Sequence, residues 1–258
     1  RSEFDVYHVL HRQDHVRIVG ICKGVHTEMV AAKVVLAAGA VGNTAILLRS
    51  EEIAWRLPAL GRNFACHPQF MSYGVFKERI DSHKGAFQAV KSEDPKFRAQ
   101  GFKLENVFAP PIGTAVIMPG YGLRHQRNMK KFRHLASMEV AVRDEASGTI
   151  RIVKDDKIKI DKSPTVRDRE TIAKGRKTVR ELFEAAGAQE VLECDQGFGL
   201  HLMGGCAMGA DSARSVVNPD FHVHGHPNLY AADSSVFPSA PGINPSFTIM
   251  ALSHRASQ

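Results

Sequence analysis

Asn228-Leu-Tyr-Ala-Ala-Asp-Ser-Ser235 is a short apolar run that ends in an acid and two hydroxyls. The spacing reads as a β-strand with its polar group at the C-terminal end. Open α/β sheets bind ligands outside that end of their strands. Ala231 and Ala232 are small enough for a ligand to pack against the backbone. Asp233 is placed to accept hydrogen bonds from sugar hydroxyls, or to serve as an ordinary turn acid or helix cap.

Two flanking pieces extend this reading. Upstream lies His201-Leu-Met-Gly-Gly-Cys206. A histidine is the side chain best suited to accept a proton near neutral pH, and Gly204-Gly205 permits close approach of other groups. A surface or core histidine is the competing interpretation. Downstream, Gly242-Ile-Asn-Pro-Ser-Phe-Thr248 reads as a helix start, with Asn244 at a cap position and Pro245 in the first turn. The helix is expected from Ser246 to about Arg255, with an N-terminus that favours an anion. Asn244 either caps that helix or turns its amide toward a ligand.

At the other end of the chain, Phe4 to Leu10, Val16 to Cys22 and Val30 to Leu36 read as strands. The last run is nearly continuous, as for a strand buried on both faces of a parallel sheet. It leads through Ala37-Ala-Gly-Ala40 into a helix over residues 41–50. Strand, small-residue turn and helix form an arrangement in which backbone can approach a phosphate or adenine, and equally a tight turn with no ligand.

Between these ends, residues 69–160 read as mixed. Strands are expected at Phe70–Phe76, Thr114–Met118, Met138–Val142, Ile150–Val153 and Ile158–Ile160. The turn Glu145-Ala-Ser-Gly148 suggests a hairpin joining the third and fourth of these. Residues 167–186 form the clearest helix, with Ile172, Val179, Leu182, Phe183 and Ala186 on one face and Gly187 closing it.

Composition excludes several classes. With 258 residues, 43% hydrophobic and 24% charged, the chain is a globular protein able to bury a core. No run reaches the ~18 apolar residues of a membrane span, so no transmembrane segment is expected. Cys22, Cys66, Cys194 and Cys206 lack metal-ribbon or disulfide-framework spacing and read as reduced thiols. A cytoplasmic location is the corresponding expectation. The net charge of +7 is concentrated in Arg124 to His134. This is a solvated face or an anion-binding stretch, without the motifs that mark nucleic-acid readers. His222, His224 and His226 share one face if they lie on a strand, and solvent-facing strand histidines are expected there rather than a metal site.

Taken together, the three C-terminal pieces resemble the closing segment of the glucose–methanol–choline (GMC) oxidoreductases, which use FAD. That family carries a His before a Gly- and Cys-containing stretch, an Asn-Leu-Tyr-x-x-Asp-x-Ser strand, and a His or Asn leading into a terminal helix. Ala32-Lys-Val-Val-Leu-Ala-Ala-Gly-Ala40 and Leu60-Gly-Arg-Asn-Phe-Ala-Cys-His-Pro68 extend the resemblance. The family's second signature is followed loosely, with Asn43-Thr44 in place of a Ser/Thr-Pro pair and Glu51 in place of Gly.

The resemblance implies an alcohol-oxidising flavoenzyme that passes a hydride from a CH–OH carbon to flavin N5. His201 is then the base, and Asn244 the second catalytic residue. Ala38, Gly39 and Ala40 would touch the adenosine half of FAD. Asp233 and Ser234 would lie near its ribityl and pyrophosphate, and Pro245, Ser246 and Phe247 at the flavin end. No metal is implied.

No G-x-G-x-x-G fingerprint occurs, and family members are much longer. The chain therefore reads as the C-terminal half of such an enzyme, with the N-terminal dinucleotide-binding unit missing. The fold expected is α/β (α+β overall). Part of an FAD-binding Rossmann-like domain, residues 1–62 and 193–258, flanks a substrate-binding lobe, residues 63–192, built on an antiparallel sheet with helices. Expected partners are a small-molecule alcohol and the missing N-terminal half of the same enzyme, with no nucleic acid. A sterol or long-chain alcohol oxidase is the alternative within the family. A non-catalytic basic binding module is the alternative of another class.

Overall fold

A computed structural model describes residues 2–92 and 94–258. The chain opens with β1 (Phe4–His11), β2 (Val16–Cys22) and β3 (Val25–Ala31), an antiparallel meander in which β2 pairs on both sides. A bend at residues 32–33 releases the chain from this sheet, and β4 (Val34–Leu36) runs elsewhere. The expected single strand Val30–Leu36 is therefore two strands in two sheets. The small-residue turn follows, then α1 (Gly39–Arg49) and the short α2 (Glu51–Ala54).

The middle of the chain contributes β5 (Ala65–Val75), α3 (Pro95–Ala99), β6 (Phe102–Glu105), α4 (Pro111–Ile117), α5 (Leu123–Lys130) and β7 (Leu135–Val142). Next come β8 (Thr149–Val153), β9 (Lys157–Asp161), α6 (Val166–Ala185) and β10 (Glu190–Met203). The chain closes with β11 (His222–Val223), β12 (His226–Ala231), a 3₁₀ turn at Ser234–Val236 and α7 (Ser246–Ala256).

These elements divide into two compact units. The first comprises Arg1–Cys66, Glu145–Ser163 and His201–Gln258. At its centre β12 runs parallel to β4, pairing Leu229 with Val34 and Ala231 with Leu36. Leu36, Leu47, Leu229 and Ala231 are buried in one apolar cluster with Val9 and Val16 of the meander. The β8–β9 hairpin also belongs here, with Ile150 packed on Ala40 and Phe64.

The second unit comprises His67–Asp144 and Pro164–Leu200. Its sheet has the order β10-β5-β7-β6, with β7 antiparallel to both β5 and β6. Helix α6 lies on one face, where Ile172, Val179 and Phe183 meet Phe102, Leu104, Val140 and Val142. The helix starts at a capping box between Thr165 and Asp168. It ends with backbone bonds from Gly187 to Glu184 and from Ala188 to Phe183, the closing pattern expected of a glycine there.

Four sequence expectations are corrected. Thr114–Met118 lies in helix α4 and the bend after it, not in a strand. Pro111 occupies the first helical positions after an extended Pro110, and a short apolar run alone does not separate strand from helix. The hairpin at Glu145–Gly148 does not form. Both edges of β7 are already paired, and Gly148 instead exchanges backbone bonds with Phe64 at 3.0 and 2.9 Å. Burial on both faces fails at β4, the last strand of its sheet, where Val35 is 59% exposed. Leu182 is also exposed, leaving Val179 and Phe183 as the inward residues of that part of α6.

Candidate active site

Strand β12 ends in the first unit with its polar group at the C-terminal end. Asp233 follows β12 and precedes the 3₁₀ turn, and its carboxylate gathers the surrounding backbone. Oδ1 accepts from the Ser235 N–H at 2.8 Å, while Oδ2 accepts from the Gly39 N–H at 2.6 Å and from Asn43 Nδ2 at 3.0 Å. An ionised carboxylate offers about four acceptor positions, so these three donors leave one. Asp233 thus ties the β4–α1 turn to the end of β12, and its side chain also caps the 3₁₀ turn.

Asn43 completes that tie. It is fully buried in α1, accepts from the Ala38 N–H at 2.8 Å and donates toward Ser235 Oγ at 2.9 Å and Leu36 O at 3.3 Å. Sequence reasoning registered Asn43 only as a departure from a family pattern. Its signal was a lone amide among the small and apolar residues of a helix. Ala38 is the residue before α1, and Gly39 has φ of +74° with nothing within 4 Å of where a Cβ would stand. The Ala38-Gly39-Ala40 turn therefore offers open backbone surface at Gly39.

His201 lies near the end of β10 with φ of +55°. A non-glycine residue in the left-handed region is strained, by about 1–2 kcal/mol, and such strain clusters at functional positions. Gly204 and Gly205, at φ of +80° and +87°, serve the chain itself rather than a ligand. Cβ atoms there would stand 2.0 Å from Asn63 O and 2.2 Å from Thr44 Oγ1. The segment after His201 then pairs with the segment after Asp233. The bonds run from Gly204 N to Ser234 O, Cys206 N to Ser235 O and Met208 N to Val236 O, at 2.9–3.1 Å. Cys206 is entombed, and burial pushes its thiol up to about 12.

Helix α7 joins the same region. Ser253 Oγ donates to Ala232 O at 2.6 Å. Ile249 and Leu252 pack on Met203, Phe237 and Ala240. Met203 is two residues beyond His201 and Ile249 five beyond Asn244, so one apolar cluster anchors both segments. Asn244 does not cap α7. Pro245 holds the cap position and no side chain caps the helix, so the first N–H groups, from Ser246 onward, keep their attraction for negative charge. Phe247 is exposed beside them.

The three histidines near β11 are not a solvent-facing row. Strand β11 has two residues, and a turn at Gly225 breaks the alternation. His222 contacts Pro227 O and stacks on Tyr230, and His224 meets Ser215 Oγ at 2.9 Å. His226 is buried against the His11 ring. Burial, then His11 and Arg56, lower its pKa to about 4. No metal-binding cluster exists among the described residues.

Residues 144–253 match the model of the GMC oxidoreductase C-terminal domain. A GMC-type oxidoreductase of Mycobacterium tuberculosis is 29% identical over 257 residues, covering 89% of this chain and 40% of that protein. A long-chain-alcohol oxidase of Arabidopsis thaliana is 26% identical over 265 residues, covering 85% and 36%. Among solved structures, a pyridoxine 4-oxidase superposes with a TM-score of 0.71 at 18% identity, over 98% of this chain and 56% of that one. Over residues 144–253 the chain carries a match to the GMC oxidoreductase C-terminal domain, and over most of its length it is similar to GMC-type oxidoreductases. It spans about 40% of the length of the M. tuberculosis relative.

Proposed function

We propose that this chain supplies the catalytic half of an FAD-dependent alcohol oxidoreductase, with the first unit in the FAD-binding domain and the second unit as the substrate lobe. The observation that carries this is the convergence in one unit of His201, the Asp233–Ser235 strand end and the uncapped start of α7. The residues fit the cofactor at two points. The Gly39 turn is open for close backbone approach, and the cap residue of α7, Pro245, makes no side-chain bond to the helix N–H groups. FAD, when bound, supplies the hydride acceptor.

The remaining work belongs to side chains of this chain. His201 takes the proton of the substrate hydroxyl, and the Asn244 amide hydrogen-bonds the same oxygen and orients it. The backbone around Ser246 and Phe247 favours negative charge that develops nearby, as fixed dipoles do. Asp233 holds the Ala38–Ala40 turn in place and keeps one acceptor position for a ribityl hydroxyl, with Ser234 beside it. The partly open sheet supports a further element of the reading. Among the described strands β4 pairs only with β12, and an exposed parallel edge is an unstable terminus. The N-terminal half of the same enzyme is the partner that would cover it. A long-chain alcohol is the second substrate reading, favoured by the Arabidopsis relative.

The test uses the full-length enzyme containing this chain, with bound flavin followed by absorbance without oxygen. Alcohol-dependent bleaching is expected in the parent. With His201→Ala the flavin stays bound and bleaching slows by about a hundredfold or more. An unchanged rate removes His201 from the role.

A further inference from the structure

The α4–α5 hairpin buries several polar groups and exposes several apolar ones. Its inner contacts are polar: Thr114 Oγ1 donates to Ala109 O at 2.8 Å, Asn128 Nδ2 donates to Pro119 O at 3.0 Å, and a His125 ring nitrogen meets Ala115 O at 2.8 Å. Thr114 and Asn128 are buried. Met118 anchors the hairpin in the apolar core with Ile117 and Met129 packed beside it. Its outer surface carries an apolar patch at the tip. Ile112 is 82% exposed and Tyr121 95% exposed, with Val116 and Leu123 exposed as well. Ile112 and Val116 share one face of α4, four residues apart.

Charge adjoins this tip and has one sign. No Asp or Glu occurs between Asn106 and Met138. Along α5 the same face runs from Leu123 to Arg127 to Lys130, with Arg124 one position away. Lys131 and Arg133 are engaged by Glu190 and Asp81. Arg124, Arg127 and Lys130 are exposed and have no ion pair among the described residues.

We propose that the α4–α5 hairpin docks on the anionic face of a lipid bilayer, inserting Ile112, Val116, Tyr121 and Leu123 among the headgroups while Arg124, Arg127 and Lys130 meet the lipid charges. An exposed apolar patch of this kind marks an interaction site. A tyrosine followed by arginines and a lysine is suited to the membrane–water boundary, and apolar residues beside a basic face give interfacial rather than spanning attachment. Nucleic acid would use the cations but leave the apolar tip in water. No helix among the described residues is long and apolar enough to cross a membrane, so the contact is with the surface.

The experiment is vesicle co-sedimentation of the full-length enzyme and, in parallel, of this chain. Vesicles are phosphatidylcholine alone, or with about a third phosphatidylglycerol, in low and high salt. Three cations predict binding about a hundredfold tighter to the anionic vesicles, and weaker in high salt. Arg124→Ala with Arg127→Ala lowers it roughly thirtyfold. Tyr121→Ser with Leu123→Ser also releases the protein, and unchanged circular dichroism checks that these exposed replacements leave the fold intact. In a Trp55→Phe background, a Tyr121→Trp reporter shifts its emission to the blue on anionic vesicles. Equal binding to both vesicles, variants that bind like the parent, or a reporter that does not shift overturns the proposal. So does binding by this chain but not by the full-length enzyme, self-association without vesicle binding, or capture of duplex DNA in place of vesicles.

Discussion

Asn43 and Asp233, 190 residues apart in sequence, are joined by a 3.0 Å hydrogen bond from the amide nitrogen to carboxylate Oδ2. The bond closes the first unit between its earliest helix and its last strand. Asn43 meets four hydrogen-bonding partners in a fully buried position, three of them sharing its two N–H groups, so removing it orphans groups that water cannot reach. Asn43→Ala is expected to cost about 2–4 kcal/mol in urea unfolding. Asn43→Asp places a second carboxylate against Asp233, and its deficit is expected to grow as pH rises through the carboxylate range.

The backbone of His201 makes a second test possible. His201→Gly and His201→Ala remove the same side-chain chemistry, but only glycine is relaxed at φ of +55°. The glycine variant is expected to be the more stable of the two by about 1 kcal/mol in thermal unfolding. Both are expected to lack alcohol-dependent flavin reduction in the full-length enzyme.

In the second unit Glu139 on β7 pairs in register with Glu105 on β6, and Lys103 donates to Glu105. All three are buried. Burial first, then Glu105, pushes Glu139 up to about 8. An unfolded glutamate titrates near 4.3, so between these values the native state holds the extra proton. Stability should therefore fall as pH rises from about 4.3 to about 8 and level off above. Glu139→Gln keeps the neutral form and is expected to flatten that decline, read from urea midpoints at about pH 5 and pH 9.

The cysteines give a simple count. Cys66, Cys194 and Cys206 are buried and Cys22 is partly exposed. Burial pushes Cys194 and Cys206 up to about 12. A thiol reagent at neutral pH is expected to modify Cys22 alone in the native protein and all four sites after denaturation.

Elements set by local rules were legible in the sequence. Helix α7 begins at Ser246, helix α6 runs within a residue of its expected span, and β1 and β2 match their alternation. What depends on partners was not. Thr114–Met118 has the β-branched look of a strand, yet Pro111 starts a helix there. The Glu145–Gly148 turn looked like a hairpin until β5 and β6 occupied both edges of β7. The candidate site divides the same way. Its residue types were readable in the C-terminal motifs, whereas the role of Asn43 exists only because Asp233 meets it from the far end of the chain. Asn244 reads as a cap because proline follows it, but Pro245 itself holds the cap position ahead of Ser246.

The parallel pairing of β4 with β12 also has a consequence in time. A ribosome adding about 5–20 residues per second takes on the order of 10–40 s to make the roughly 190 residues that separate such partners. Throughout that interval β4 and α1 have emerged without the strand that completes their layer. The second unit, drawn from the stretch between, can assemble in the meantime. The newborn first unit is therefore a natural client for chaperones until its final segment arrives.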